Sequence, residues 1–320
     1  ELVMPGRTLI PGWMGFEERL GEGELGYRIK GMRVGGVLKN QGMVSDFGTR
    51  TLFLLLFLTF RVRNLYEKMI WGGVALVTIV AVVATANRGA FFSLVIGAIY
   101  LLYLFRNQIS VTRMVVLLGS VSLLFVGSEI MLTRHTVATS LTDRIMSTRF
   151  QGVVPDTRKN TWIPALKKSL EHPFIGHGPH YEIGKGLTYQ MWPHNSFIFF
   201  FYTVGLFGLF AFLFVVYRVW RYSLYFNLPE VRGSPLADLC RVLNGVLIVT
   251  LLQQMRTDFQ RGNVNPYMVW FVFALAVATA LILEERSKRL AAQRDEAAPL
   301  GGGSGGNRAP NRHRGRRLRP

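Results

Sequence analysis

Apolar residues in this chain come in long runs, separated by short polar stretches that are mostly basic. About 20 consecutive apolar residues are what an α-helix needs to cross the hydrocarbon core of a bilayer. On that measure the pattern predicts seven spans, over residues 46–60, 69–86, 89–105, 114–132, 195–217, 240–256 and 266–283. The first is the weakest: its apolar stretch, Thr51 to Phe60, is short, and Asp46 and Arg50 stand just before it. The expected fold class is all-α, a polytopic transmembrane helical bundle of about seven spans with a long, partly helical extracytoplasmic loop. The chain divides into an N-terminal segment (1–45), four spans (46–132), the long loop (133–194), three spans (195–283) and a basic tail (284–320).

The loop is too long for a simple connector, and loops of that length are usually functional or disordered. Its composition argues for structure. Asp156 or Thr157 is placed to cap a short amphipathic helix carrying Trp162, Ala165, Leu166 and Leu170, with Pro164 in its first turns. Pro173 ends that helix, and Gly176-His177-Gly178-Pro179 reads as a turn. Residues 301–320, rich in Gly and then in Arg, read as disordered.

Half of the 320 residues are hydrophobic, yet the formal net charge is +18. That pairing excludes an ordinary soluble enzyme and a disordered chain. Part of the charge is local: from Glu284 to Pro320 ten Arg and Lys stand against four Asp and Glu, or +6. Beside apolar spans, such a tail reads as a cytoplasmic, lipid-facing segment rather than a nucleic-acid site. The remaining cations set the orientation. Arg61, Arg63 and Lys68 lie between spans one and two; Arg106 and Arg113 between three and four; Arg218, Arg221, Arg232 and Arg241 between five and six. Seven spans put all of these and the tail on one side, the cytoplasm by the positive-inside rule. Residues 1–45, 87–88, 133–194 and 257–265 then face outside. Cys240 is the only cysteine, which excludes an internal disulfide and a cysteine-based metal site. The first residue is Glu1 with no signal peptide before it, so a fragment or processed product is expected.

Four places on the outer side carry candidate chemistry. In Thr85-Ala86-Asn87-Arg88-Gly89-Ala90 an Arg stands between two apolar runs. An Arg at mid-span costs at least ~2.5–3.5 kcal/mol on insertion scales, so such residues face polar cavities; a snorkelling Arg in a tight hairpin is the alternative. Arg158-Lys159-Asn160-Thr161-Trp162 reads either as a site or as a solvated helix with an interfacial Trp. In Trp192-Pro193-His194-Asn195-Ser196, His194 stands where a general base near neutral pH is conceivable, or it and Asn195 merely cap a helix. Arg33 and Gly35-Gly36-Val37-Leu38-Lys39-Asn40 add positive charge or form a glycine-rich connector. A metal site is a rival: His172, His177, His180 and His194 lie in one stretch, but their spacing matches no standard zinc pattern. Walker, nucleophile-elbow and dinucleotide fingerprints are absent in any credible context.

Taken in order, these outer segments resemble the O-antigen ligase-like superfamily of bacterial membrane proteins. Asn87-Arg88-Gly89-Ala90 looks like the family's (S/N)RGA element. Arg158-x3-Trp162-x2-Ala165 followed by Pro173-x2-Gly176-x-Gly178 looks like its outer loop. His194-Asn195 followed by Gly205-x2-Gly208 looks like the start of its next helix, and Gly36 to Asn40 is a weaker match. Family members usually have ten or more spans, so about four N-terminal helices are expected to be missing. Asn87 stands where Ser is more usual, and residues 38–42 lack an Asn-Pro-Asn pattern.

The resemblance implies an inverting, metal-independent glycosyltransferase without cofactor in the bacterial inner membrane, its site facing the periplasm or exterior. It would move a glycan from a polyprenyl-diphosphate carrier to a hydroxyl of a glycolipid, glycan or protein acceptor. Arg88 and Arg158 would clamp the diphosphate and His194 would deprotonate the acceptor. Trp162 and Asn195 would orient the site, and Arg33, Lys39, Arg256 and Arg261 would be secondary contacts to the donor. Repeat-unit polymerisation within the same family is the alternative reaction. A bicarbonate-carrier-like transporter and an assembly component are alternatives of other classes. A transporter keeps ionisable groups near mid-membrane, whereas here polar residues gather at one face.

Overall fold

The computed structural model describes residues 16–20, 29–34, 41–108, 119, 122–123, 125–131, 141–146, 150–151, 154–178, 193–256 and 265–297. Among these the chain is a helical bundle. Helices α1 (Gln41–Arg61), α2 (Leu65–Ala84) and α3 (Arg88–Phe105) follow one another through tight turns. A short α4 (Leu141–Met146) precedes α5 (Asp156–Ser169), and α6 (Ser196–Ser223), α7 (Pro235–Gln254) and α8 (Asn265–Ala297) complete the order. Strands β1 (Phe16–Leu20) and β2 (Ile29–Val34) form an antiparallel hairpin, and β3 (Phe150–Gln151) and β4 (Val154–Pro155) pair just before α5. Six helices among the described residues are long and apolar enough to cross a membrane: α1, α2, α3, α6, α7 and α8. Of the predicted span 114–132 about half is described, and residues 125–131 are helical.

Polar side chains set where the helices begin. Asn64, Asn87, Asn195 and Ser234 cap α2, α3, α6 and α7, each accepting from a backbone N–H in the first turn. Helix α7 is the centre of the bundle, with Leu243, Val246, Leu247 and Val249 all fully buried. It packs against α1, α3, α6 and α8. Glycines allow the α3–α7 approach from both sides. A Cβ on Gly97 would lie 2.3 Å from Val249, and one on Gly245 would lie 2.5 Å from Leu101.

Three boundaries differ from the apolar pattern. Helix α1 begins at Gln41, five residues before the expected start, and Asp46 and Arg50, which precede the apolar stretch, are buried inside it, 2% and 4% exposed. Helix α8 does not stop at 283 but continues to Ala297, with Lys288 and Arg289 paired to Glu284 and Glu285 one turn back. Arg241 is not in a connecting loop. It is buried in the second turn of α7, hydrogen-bonded to Asp238 at 2.8 Å and flanked by the rings of Phe105 and Phe226 at 5.0 Å each. Charges with buried partners escape a hydropathy window, which counts each residue as if it stood alone.

Candidate functional site at one end of the bundle

The turn between α2 and α3 builds the first half of the site. Ala86 is left-handed (φ 46°), and Asn87 then caps α3 through Oδ1 to the Ala90 N–H. The Asn87 amide donates to Ser45 Oγ at 2.7 Å, and its Oδ1 accepts from Arg256 Nη1 at 2.9 Å. Arg256, just past the end of α7, also forms an ion pair with Asp46 of α1. Its guanidinium passes over Gly89, where a Cβ would lie 2.1 Å from Arg256 Cδ. Burial pushes the Arg256 guanidinium down to about 9, which leaves it charged at neutral pH. Within the Asn-Arg-Gly-Ala element, then, Asn87 anchors, Gly89 opens a slot and Ala90 is fully buried. Arg88, half-buried, is the first residue of α3.

Polar groups of α1, α6 and α7 continue this layer. Arg50 Nε donates to Gln253 Oε1 at 2.7 Å, and Gln253 Nε2 donates to the Asp46 carbonyl at 3.4 Å. Next to it, Gln254 Oε1 accepts from Ser196 Oγ at 2.9 Å. The starts of α1, α3 and α6 and the end of α7 are thus hydrogen-bonded into one level. Arg50 and Arg256 bring two guanidinium groups to that level against the carboxylate of Asp46, and Arg88 stands at the start of α3, next to Asn87 in the layer.

His194 stands at the start of α6, held from both sides. It is left-handed (φ 44°), a conformation that costs on the order of 1–3 kcal/mol outside glycine. After it, Asn195 Oδ1 accepts from the N–H groups of Phe197 and Ile198. Before it, the Pro193 carbonyl accepts from Trp162 Nε1 at 2.6 Å. Trp162 belongs to α5, whose Ala165 and Ser169 are buried against α6 at Phe199 and Tyr202. Arg158 lies in the first turn of α5, one helical turn ahead of Trp162. Pro164 sits mid-helix, eight residues after Asp156, rather than in the first turns.

A second junction joins the loop to α6. At Gly205 (φ 66°, ψ −168°) the helix breaks. An unbroken helix would bond Leu206 N–H to the Tyr202 carbonyl and Phe207 N–H to the Thr203 carbonyl. Instead the Tyr202 and Thr203 carbonyls accept from His177 and Gly178 N–H, at 2.9 and 2.8 Å. Leu206 and Phe207 N–H donate to the Pro173 and Phe174 carbonyls, at 2.8 and 3.3 Å. The turn after α5 therefore takes over four of the groups that the break frees, as a lipid-facing helix requires. A Cβ on Gly176 would lie 2.5 Å from Thr203 backbone, and one on Gly205 would lie 2.3 Å from Phe174 backbone. His177 stacks on Tyr202 (4.5 Å between ring centres, 15° between planes) and meets His172 edge-on. Nearby, a hydrogen bond from Lys168 holds the Glu171 carboxyl below its ordinary range. Among the described residues no group of three or more His, Cys, Asp or Glu side chains is arranged to hold a metal. His180 lies outside them.

Arg256 was expected only as a secondary contact and proves to be the centre of the polar layer. Trp162 and Asn195 hold the segment that carries His194. Arg33 lies on β2, opposite Glu17 in the hairpin register, and Lys39 and Arg261 lie outside the described residues. The apolar pattern missed Ser45, Asp46, Arg50, Ser196, Gln253 and Gln254. One signal was available: an Asp and an Arg four residues apart at the head of a span, and two adjacent Gln residues at the foot of another, have no place facing lipid.

A polytopic helical bundle with a polar, guanidinium-bearing layer at one end and a helical loop packed against α6 is the class of protein that fold and site define. Residues 73–213 match the family model described as O-antigen ligase, the family whose motifs the outer segments resemble. The matched segment runs from α2 through the first half of α6 and takes in Arg88, Arg158 and His194. No curated protein matches the chain.

Proposed function

We propose that the protein transfers a glycan from a polyprenyl-diphosphate carrier to an acceptor hydroxyl, with inversion at the anomeric carbon, on the periplasmic or outer side of a bacterial inner membrane. The observation that carries this reading is the shared polar layer. The residues next to Arg88 (Asn87, Gly89) and to His194 (Ser196, by way of Gln254) meet at the same end of α7. The end itself is assigned to the outside by the positive-inside rule, since Arg61, Arg63, Arg106, Arg218 and Arg221 lie at the other ends of the same helices.

In this reading Arg88 and Arg158 bind the diphosphate through charge-assisted hydrogen bonds. The acceptor oxygen attacks the anomeric carbon from the face opposite the diphosphate. The new carbon–oxygen bond forms as the bond to the phosphate oxygen breaks, and the diphosphate leaves with the electron pair. His194 takes the acceptor's proton, and the guanidinium groups stabilise the charge growing on the leaving group. The reading needs no metal or cofactor, so a chelator leaves transfer unchanged. Ligation to lipid A-core, repeat-unit polymerisation and protein glycosylation share this step and differ in the acceptor.

The test is glycan transfer in a deletion strain complemented with Arg88→Ala, Arg158→Ala or His194→Ala. We expect each to lower transfer, His194→Ala by ~10²–10⁴-fold and an arginine by roughly 10²–10³-fold, at unchanged protein level. Full transfer by all three would overturn the mechanism.

A further inference from the structure

We propose that α5 and the turn Pro173–Gly178 form a re-entrant element seated within the lipid leaflet at the site's end of the bundle, with one face of α5 against acyl chains. The inference is independent of the reaction proposed above. It rests on three observations.

The first is depth. Between Ser196 and Arg218, α6 carries no charged residue. Counting ~20 residues back from Arg218 for the hydrocarbon core places its other edge near Ile198. The loop's four hydrogen bonds to Tyr202, Thr203, Leu206 and Phe207 then fall inside that edge, by roughly 6–14 Å at 1.5 Å per residue.

The second is the surface. Helix α5 has three faces. Ala165 and Ser169 are buried against α6, and Lys167, Lys168 and Glu171 carry the polar side. The third face presents Ile163, Leu166 and Leu170, all exposed, and runs on into Phe174 and Ile175, which are 58% and 75% exposed. A helix with separate apolar and charged sides of this kind lies in the plane of a membrane interface. The apolar side is also continuous with the lipid-facing side of a spanning helix: the Phe174 ring lies 5.9 Å from that of Phe207, itself 67% exposed on α6.

The third is the exchange of backbone hydrogen bonds at the Gly205 break, where the turn serves two carbonyls and two N–H groups. In water, solvent would serve those four groups. In hydrocarbon nothing else does.

Single cysteines test this, since Cys240 is fully buried and the unsubstituted chain supplies the labelling blank. Nitroxide labels are placed at Leu170→Cys and Ile175→Cys. Phe210→Cys on α6 is the membrane reference, and Arg63→Cys in the turn between α1 and α2 is the aqueous one. In proteoliposomes we expect the ratio of collisions with oxygen to collisions with a water-soluble nickel chelate at 170 and 175 to match 210 and to exceed 63 several-fold. Ratios matching 63 would overturn the proposal. A second measurement uses the unsubstituted chain, in vesicles containing phospholipids with a photoreactive group on the acyl chain. Adducts on residues 163–175 as well as on 207–214 support the element, and adducts on 207–214 alone refute it.

Discussion

His194 is held in a backbone conformation that glycine adopts freely and a histidine adopts at a cost. If its side chain only capped α6, glycine would serve as well, because Asn195 makes the cap. His194→Gly is therefore expected to melt no lower than the natural chain while transfer falls with it, and His194→Val to melt lower. Thermal unfolding in detergent, read beside transfer, separates the two roles. Asp46 and Arg256 give the second residue-scale prediction. Removing one member of a buried pair leaves the other charge uncompensated, so Asp46→Asn is expected to cost about 3–5 kcal/mol. The double variant Asp46→Asn/Arg256→Met should recover much of that loss in stability but not in transfer. Additive losses in the double-mutant cycle would show that the pair does not act as a unit. Arg88 stood out in the sequence because a charge between apolar runs is conspicuous, whereas Arg158 and His194 gained weight from their place in the ordered set of motifs that carries the family resemblance. Arg50 and Asp46 did not, because their partners lie some two hundred residues away on α7.

Among elements, the junction of α5, its turn and α6 decides most. Gly176 and Gly205 are left-handed, and each stands where a Cβ would strike the other segment's backbone. Gly205→Ala and Gly176→Ala are expected to cost on the order of 3–5 kcal/mol, from left-handed strain and the loss of several of the four hydrogen bonds. Gly178 is also left-handed, but nothing lies within 4 Å of a Cβ there. Gly178→Ala should cost only ~1–2 kcal/mol. Equal losses at 176 and 178 would contradict the account of the junction, and melting temperatures of the three variants decide it. The glycines and prolines of this region were legible as punctuation, and the turn after α5 was expected. That it mends a break in another helix was not, because a periodic apolar pattern runs straight through Gly205.

At the scale of the molecule, the basic clusters at Arg61, Arg106 and Arg218–Arg221 fall at the ends of α1, α3 and α6 opposite the polar layer, as the charge pattern led one to expect. The boundaries at Asp46, Arg241 and Ala297 were not legible, because neutralised charges and intrahelical pairs extend a helix beyond its apolar run. The structure turns on one layer in which the starts of α1, α3 and α6 meet the end of α7, and the function proposed for it is transfer from a lipid-linked donor. The most direct measurement is the pool of polyprenyl-diphosphate-linked glycan, quantified by mass spectrometry together with the transferred product, in a deletion strain carrying either the natural chain or His194→Ala. The account predicts that the natural chain clears the donor and forms product. His194→Ala, present at the same level in the membrane, should leave the donor accumulated as in the deletion. A strain in which His194→Ala clears the donor as fast as the natural chain would contradict it.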